Sequence, residues 1–210
     1  MGTPDSERDY PALIHSNLKD ARLYANRNDL IAELATSARG RCIAELGVAL
    51  GAFSSFLIEA LSPSQFVAFD TFDLHKIPIL WGQDTSTIFA GRSHREYFKD
   101  RMSKHGRTVR LEEGPSHVRL ATYPDEYFSL IYVDAGHDYE SVSRDAEIAS
   151  HKLSRDGLLV FNDYVMYDHV QSGMYGVVPA VNEMVVYKGW KVVGFALQHR
   201  MFCDIAIQRV

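Results

Sequence analysis

Five carboxylates stand at or just beyond the end of a short apolar run: Glu45, Asp70, Glu113, Asp134 and Asp163. Their neighbours are also chemically useful. Gly47 and Gly51 follow Glu45, Gly114-Pro115-Ser116 follows Glu113, His137 lies three residues after Asp134, and Asn162 precedes Asp163. Carboxylates gathered in one place repel unless cationic or hydroxyl-bearing groups come between them. A ribose, an amino group, a sulfonium or a divalent metal ion would each relieve that repulsion. His137 is suited to take a proton near neutrality, because a free imidazole titrates near ~6.5. Asp134 and Asp163, with Asn162 as a third oxygen, form a hard-ligand set of the kind that suits Mg²⁺.

The runs that carry these residues read as alternating strands and helices. Strands are expected at 42–46, 65–69, 108–112, 128–133 and 158–161, with helices at 54–61, 93–105, 139–153 and 177–187. Two further strands, 190–197 and 201–208, are joined by the tight turn 198–200 with no helix between them. Seven strands in this order predict one doubly wound α/β sheet, mostly parallel, whose last strand runs antiparallel. Residues 10–35 carry Leu13, Ile14, Leu18, Leu23, Leu30, Ile31 and Leu34 mostly at three- to five-residue steps, which predicts N-terminal helices. Ligands of open α/β sheets bind beyond the carboxyl ends of the strands, where the acids fall. The stretch 71–92 has no clear period and reads as a lid or substrate loop.

Bulk properties narrow the classes. A chain of 210 residues with 46% hydrophobic and 23% charged residues suits one globular domain with decorations. A net charge of −5 argues against a general nucleic-acid binder. The polar residues 1–8 do not read as a signal peptide, and no run is long enough to span a membrane. Cys42 and Cys203 lie in separate apolar segments and read as reduced thiols, so a cytoplasmic location is expected.

The segment Glu45-Leu46-Gly47-Val48-Ala49-Leu50-Gly51 departs from the dinucleotide fingerprint, with Ala49 where the next glycine would stand. Asp70, about 20 residues on, suits the hydroxyls of a ribose. Taken with the run from Ile131 to Tyr164, which holds Asp134, His137 and Tyr139 in a D-x-x-H-x-Y pattern, the chain resembles the class I S-adenosylmethionine-dependent methyltransferases. It is most similar to small O-methyltransferases related to the macrolide-sugar methyltransferases. The spacing gives an N-terminal helical extension over 1–40, and the resemblance, which begins near Ile43, implies an S-adenosylmethionine-binding domain over 41–210. It implies a cofactor site of Glu45, Gly47, Gly51, Ser54, Asp70, Thr71, Gly114, Ser116 and Asp134. Gly47 and Gly51 would border the methionine moiety, Glu45 its amino end, Asp70 the ribose and Ser116 the adenine. It also supports Mg²⁺ at Asp134, Asp163 and Asn162.

Methyl transfer from a sulfonium is an in-line displacement, and an oxygen nucleophile must lose its proton. The expected catalytic residues are His137 as base and Asp134 beside it. The expected acceptor is a small hydroxylated molecule, with Phe72, Trp81, Tyr164, Tyr167 and Tyr175 as candidate aromatic contacts. His94, His169 and His199 read individually as surface or packing residues. The N-terminal helices offer an apolar face for a homodimer. Two other readings compete: a binding module without turnover, and a nicotinamide-dependent oxidoreductase.

Overall fold

The computed structural model describes residues 10–210, so the reading of the polar residues 1–8 lies outside it. The chain runs β1 (Arg22–Tyr24), α1 (Arg27–Leu34), β2 (Cys42–Leu46), α2 (Ala52–Leu61) and β3 (Gln65–Asp70). The insertion follows, with β4 (Ile79–Leu80), β5 (Gln83–Asp84), α3 (Thr85–Phe89) and α4 (His94–Arg101). After it come β6 (Val109–Glu113), α5 (Ser116–Leu120), β7 (Phe128–Val133), α6 (Tyr139–Lys152) and β8 (Leu153–Phe161). The chain closes with β9 (Tyr167–Asp168), β10 (Gly173–Met174), α7 (Val177–Tyr187), β11 (Trp190–Ala196) and β12 (Asp204–Arg209).

The main sheet has the order β1-β11-β12-β8-β7-β2-β3-β6, and only β12 runs against its neighbours. This is the doubly wound, mostly parallel sheet expected from the alternation, with one strand more. The extra strand is β1, which pairs in parallel with β11 through Arg22–Gly194, Leu23–Phe195 and Tyr24–Ala196. The continuous helical spacing read over residues 10–35 is therefore corrected. Asn26 does not divide two helices; it caps one, accepting a hydrogen bond from the Asp29 backbone N–H. Leu23 and Ile14 are exposed, so their helix-like spacing does not mark a covered face. Through β1, residues 22–24 join the sheet as an edge strand, while α1 packs on one of its faces.

Side chains of β2 and β7 alternate between the two faces of the sheet. Ala44, Leu46, Ile131 and Val133 pack with α6 and α7, while Ile43, Leu130 and Tyr132 pack with α1 and α2. All six residues of β7 are buried, which is the burial expected for the central strand of a two-faced parallel sheet. The chain leaves β2 for β3 on one side and comes back to β7 on the other. The carboxyl ends of β2 and β7 thus flank the crevice where the winding reverses. Among the described residues no helix is long and apolar enough to cross a membrane.

Gly47 turns the chain out of β2 with φ +82°, and a Cβ there would sit 2.0 Å from the Asp134 carbonyl oxygen. The space that glycine provides is filled by the end of β7. Gly40 has a similar φ of +71° but open surroundings. Gly40→Ala should therefore lower stability by about 1 kcal/mol, the cost of a left-handed alanine. Gly47→Ala should cost at least ~3 kcal/mol, because the turn must also move off β7. Denaturant titration of the two variants checks this, and equal losses would remove the clash from the explanation.

Candidate active site

A cavity of about 630 Å³ opens at the carboxyl ends of β2, β7 and β8. It brings together Glu45, Gly47, Gly51, Asp134, His137, Asn162 and Asp163 from the sequence reading. Ser54, Asp70, Thr71, Gly114 and Ser116 do not line it. Ser54 is buried beneath the floor and donates its hydroxyl to the Glu45 carboxylate. Thr71 donates to Asp73, and Ser116 donates to Asp145, tying α5 to α6. Asp70 accepts from the backbone N–H groups of Val48 (2.9 Å), Ala49 (3.3 Å) and Phe72 (2.8 Å). It braces the glycine turn from β3. The Gly114 N–H reaches the Asp70 carbonyl, so these residues form a second cluster at the tips of β3 and β6.

The floor of the cavity is held in part by residues the sequence reading missed, namely Arg27, Tyr132, Gln198 and Asp204. Asn162 donates to Asp134 at 2.8 Å, and the Tyr132 hydroxyl donates to Asp204. Gln198 donates to the other Asp204 oxygen. Arg27, from the first turn of α1, donates to the Tyr132 hydroxyl at 3.1 Å and lies 3.9 Å from Asp134. Its guanidinium stacks over Phe53 at 4.1 Å from the ring centroid. Arg27 carries no motif, so nothing in the sequence distinguished it. Asp204 gave a readable signal, an acid opening the otherwise apolar Asp204-Ile205-Ala206-Ile207.

Burial sets the electrostatics. It raises Glu45 and Asp134 well above the usual carboxylate range, although the Ser54 hydrogen bond and Arg27 respectively pull them back. Asp163 and Asp204 are both pushed up to about 6, again first by burial. Burial alone would weaken the charge on Arg27, but Tyr132, Asp134 and Asp204 outweigh it and hold it protonated. The floor is thus a set of underionised acids facing one guanidinium.

His137 stands over this floor. Its Nε2 is buried, has no hydrogen-bond partner among the described residues, and lies 3.4 Å from Asp163 and 3.7 Å from Asp134. Its ring stacks on Tyr175 at 4.6 Å between centroids. Burial lowers its pKa, so it remains neutral at pH 7. The Gly176 N–H donates to its carbonyl, and a Cβ on Gly176 would meet the Tyr139 backbone within 2.2 Å. This fastens the β9–β10 hairpin to the backbone of the histidine. Asp168, buried inside that hairpin, accepts from the N–H groups of Val170 and Gln171 and from the Tyr175 hydroxyl.

His94 is fully buried with Nε2 2.6 Å from the Ala49 carbonyl, so it packs against the glycine turn. His169 stacks on Phe202, and His199 lines the cavity. Trp81 also reaches the cavity, from the insertion read as a substrate loop. Trp81-Gly82 closes the β4–β5 hairpin with φ +49° and +80°. Such a turn favours Asn-Gly, and a left-handed tryptophan costs about 1–2 kcal/mol.

Two comparisons place the chain. Residues 44–164, more than half of it, match the family model described as a methyltransferase domain. The fold and the match together define a class I S-adenosylmethionine-dependent methyltransferase. The chain belongs to that methyltransferase domain family. Its sequence matches no curated protein significantly. Among solved structures, the S-adenosylhomocysteine-bound methyltransferase PaMTH1 from Podospora anserina is 16% identical with a TM-score of 0.61, over 88% of this chain and 78% of that one. A provisionally named O-methyltransferase from Klebsiella pneumoniae is 17% identical with a TM-score of 0.62, covering 90% and 81%. A ribosomal protein L11 methylase from Lactobacillus delbrueckii subsp. bulgaricus is 13% identical with a TM-score of 0.56, covering 95% and 81%. At these identities the likenesses establish the fold.

The residues present fit a sulfonium nucleoside. An acidic floor awaits a cation, and α2 starts with no side-chain cap while Gly51, Ala52 and Phe53 line the cavity. They do not fit the expected Mg²⁺. Among the described residues no group of three or more His, Cys, Asp or Glu side chains is placed to hold a metal. Asn162 turns its amide nitrogen, not its oxygen, toward Asp134. Its oxygen meets the Tyr132 hydroxyl, and Arg27 already supplies a cation beside Asp134.

A cation entering the cavity favours the ionised acids, so binding must release protons. Affinity should then rise with pH from the region near the Asp163 and Asp204 values of about 6 upward, with the raised acids Glu45 and Asp134 adding to the rise. Calorimetry between pH 5 and 8 should show a steeper rise for S-adenosylmethionine, whose sulfur is charged, than for S-adenosylhomocysteine. Equal slopes would separate these acids from the sulfonium. Removing the counter-charge has the complementary effect. Arg27→Met should lower the melting temperature more at pH 7.5 than at pH 5.5, where the acids are largely neutral, and a pH-independent loss would point to packing alone.

Proposed function

We propose that this protein is an O-methyltransferase that acts on a small hydroxylated molecule, with His137 as general base. The observation that carries the reading is the buried, unpartnered Nε2 of a neutral histidine at the cavity wall, between Asp134 and Asp163. When bound, the cofactor supplies an electrophilic methyl group on a sulfonium. The chain's own residues do the rest. Gly47, Gly51 and the start of α2 would receive the amino-acid moiety, with Glu45 near its amino group. The acidic floor would attract the sulfonium from below. Asp70, Gly114 and Ser116 lie at the neighbouring tips of β3 and β6, where the nucleoside would continue.

His137 Nε2 would accept the proton of the acceptor hydroxyl as its oxygen attacks. The imidazolium so formed lies within 4 Å of Asp134 and Asp163, whose ionised forms stabilise it. Tyr175, stacked on the ring and tied to Asp168, holds the imidazole in one orientation. No step is routed through a metal ion. The net charge of −5 favours a small acceptor over a nucleic acid.

His137→Ala should reduce kcat by ~10²–10⁴ while the affinity for S-adenosylhomocysteine stays within about threefold. Product formation by mass spectrometry and calorimetric titration of the same preparation measure the two. Near-normal turnover would end the base assignment. Loss of cofactor affinity would instead make His137 a cofactor-site residue.

A further inference from the structure

The outer half of the cavity differs in character from its floor. Trp81, on the tip of the β4–β5 hairpin, faces the same space as Tyr175, Phe202, His199 and Arg200. Trp81 is 64% exposed despite being the largest side-chain type, and it occupies a turn position suited to asparagine. Strain retained at a cavity mouth is a pointer to function. Arg200 lines the same cavity from the β11–β12 connection, exposed and, among the described residues, with no hydrogen bond or ion pair. It contrasts with Arg27, whose charge is committed to Tyr132 and Asp134. The cavity therefore runs from an acidic floor to an aromatic rim that ends in a free guanidinium.

We infer that Trp81 and Arg200 form an acceptor clamp for a flat ring that carries the reacting hydroxyl at one end and an anionic group at the other. This rests on the methyltransferase reading above and deepens it. Polarity sets the direction of entry. An anion at the floor would face Glu45, Asp134 and Asp163, so the charged group must point outward to Arg200. The hydroxyl then faces His137. The exposed indole offers a face on which the ring stacks, and a guanidinium pairs with carboxylate, sulfonate or phosphate alike.

The test uses two fluorescent probes, 6-hydroxynaphthalene-2-sulfonate and neutral 2-naphthol, titrated into the full chain saturated with S-adenosylhomocysteine. Both titrations are run at about pH 8, and Arg200→Gln isolates the contribution of the guanidinium. The sulfonate should bind roughly 5- to 10-fold more tightly than naphthol, the range of a partly exposed charge-assisted contact. Arg200→Gln should abolish that preference and leave naphthol binding unchanged. Trp81→Asn, which suits the turn, should keep or raise the melting temperature yet weaken both probes by about tenfold. Equal binding of the two probes, no binding of either, or a preference that survives Arg200→Gln would overturn the clamp. S-adenosylhomocysteine affinity is read separately on each variant. Its absence from the unaltered protein would sink the methyltransferase reading itself, whereas normal cofactor affinity with no probe discrimination sinks only the clamp.

Discussion

The site depends on one imbalance, a group of carboxylates buried under a crevice with a single guanidinium among them. Taking a carboxylate out of water costs several kcal/mol unless it is paired, hydrogen-bonded or protonated. Here all three remedies are in use. Ser54, Asn162, Tyr132 and Gln198 donate hydrogen bonds, Arg27 supplies charge, and the remaining deficit appears as raised proton affinity. A crevice in that condition is primed for a cation, because each positive charge that enters relieves a cost the fold already carries. The neutral histidine above the acids belongs to the same arrangement, since an imidazolium formed there meets carboxylates and not bulk solvent.

The loop out of β2 shows how packing and binding share residues. The glycine at 47 is required because the Asp134 carbonyl occupies the place of its side chain, and at 51 the Phe98 ring does the same. Asp70 grips the intervening amides, and His94 meets the Ala49 carbonyl from beneath. A turn held from three sides presents its cofactor-facing edge without needing the ligand to shape it. That is preorganisation in the ordinary sense, ordering that is complete before binding.

Much of this was legible in the sequence because burial on both faces of a parallel sheet leaves plain apolar runs, and five of the runs here stop at or beside an acid. Cys42–Leu46 and Phe128–Val133 are such runs, and they led directly to Glu45, Asp134 and His137. The N-terminal segment was not legible. Leucines at three- to five-residue steps look helical whether or not a common face is covered, and Arg22–Tyr24 is strand only because β11 offers an edge. Arg27 could not be found either, since its importance lies in a contact with Tyr132, which is 105 residues away. The Asn162 ligand reading failed for a subtler reason. Residue type says an amide oxygen is available, but the hydrogen-bond pattern decides which end of the amide faces the site.

The anchoring of the β9–β10 hairpin has a consequence for how such enzymes diversify. Its C-terminal foot is pinned by the Gly176 N–H to the carbonyl of His137, and its interior is closed on Asp168. Residues 170–174 between those fastenings contribute Val170 and Gln171 to the cavity wall, while Tyr175, the residue that stacks on the imidazole, stands just beyond them. Sequence drift in that short arch would therefore reshape the doorway while the imidazole kept its station. One scaffold could in this way try new guests without relearning its chemistry.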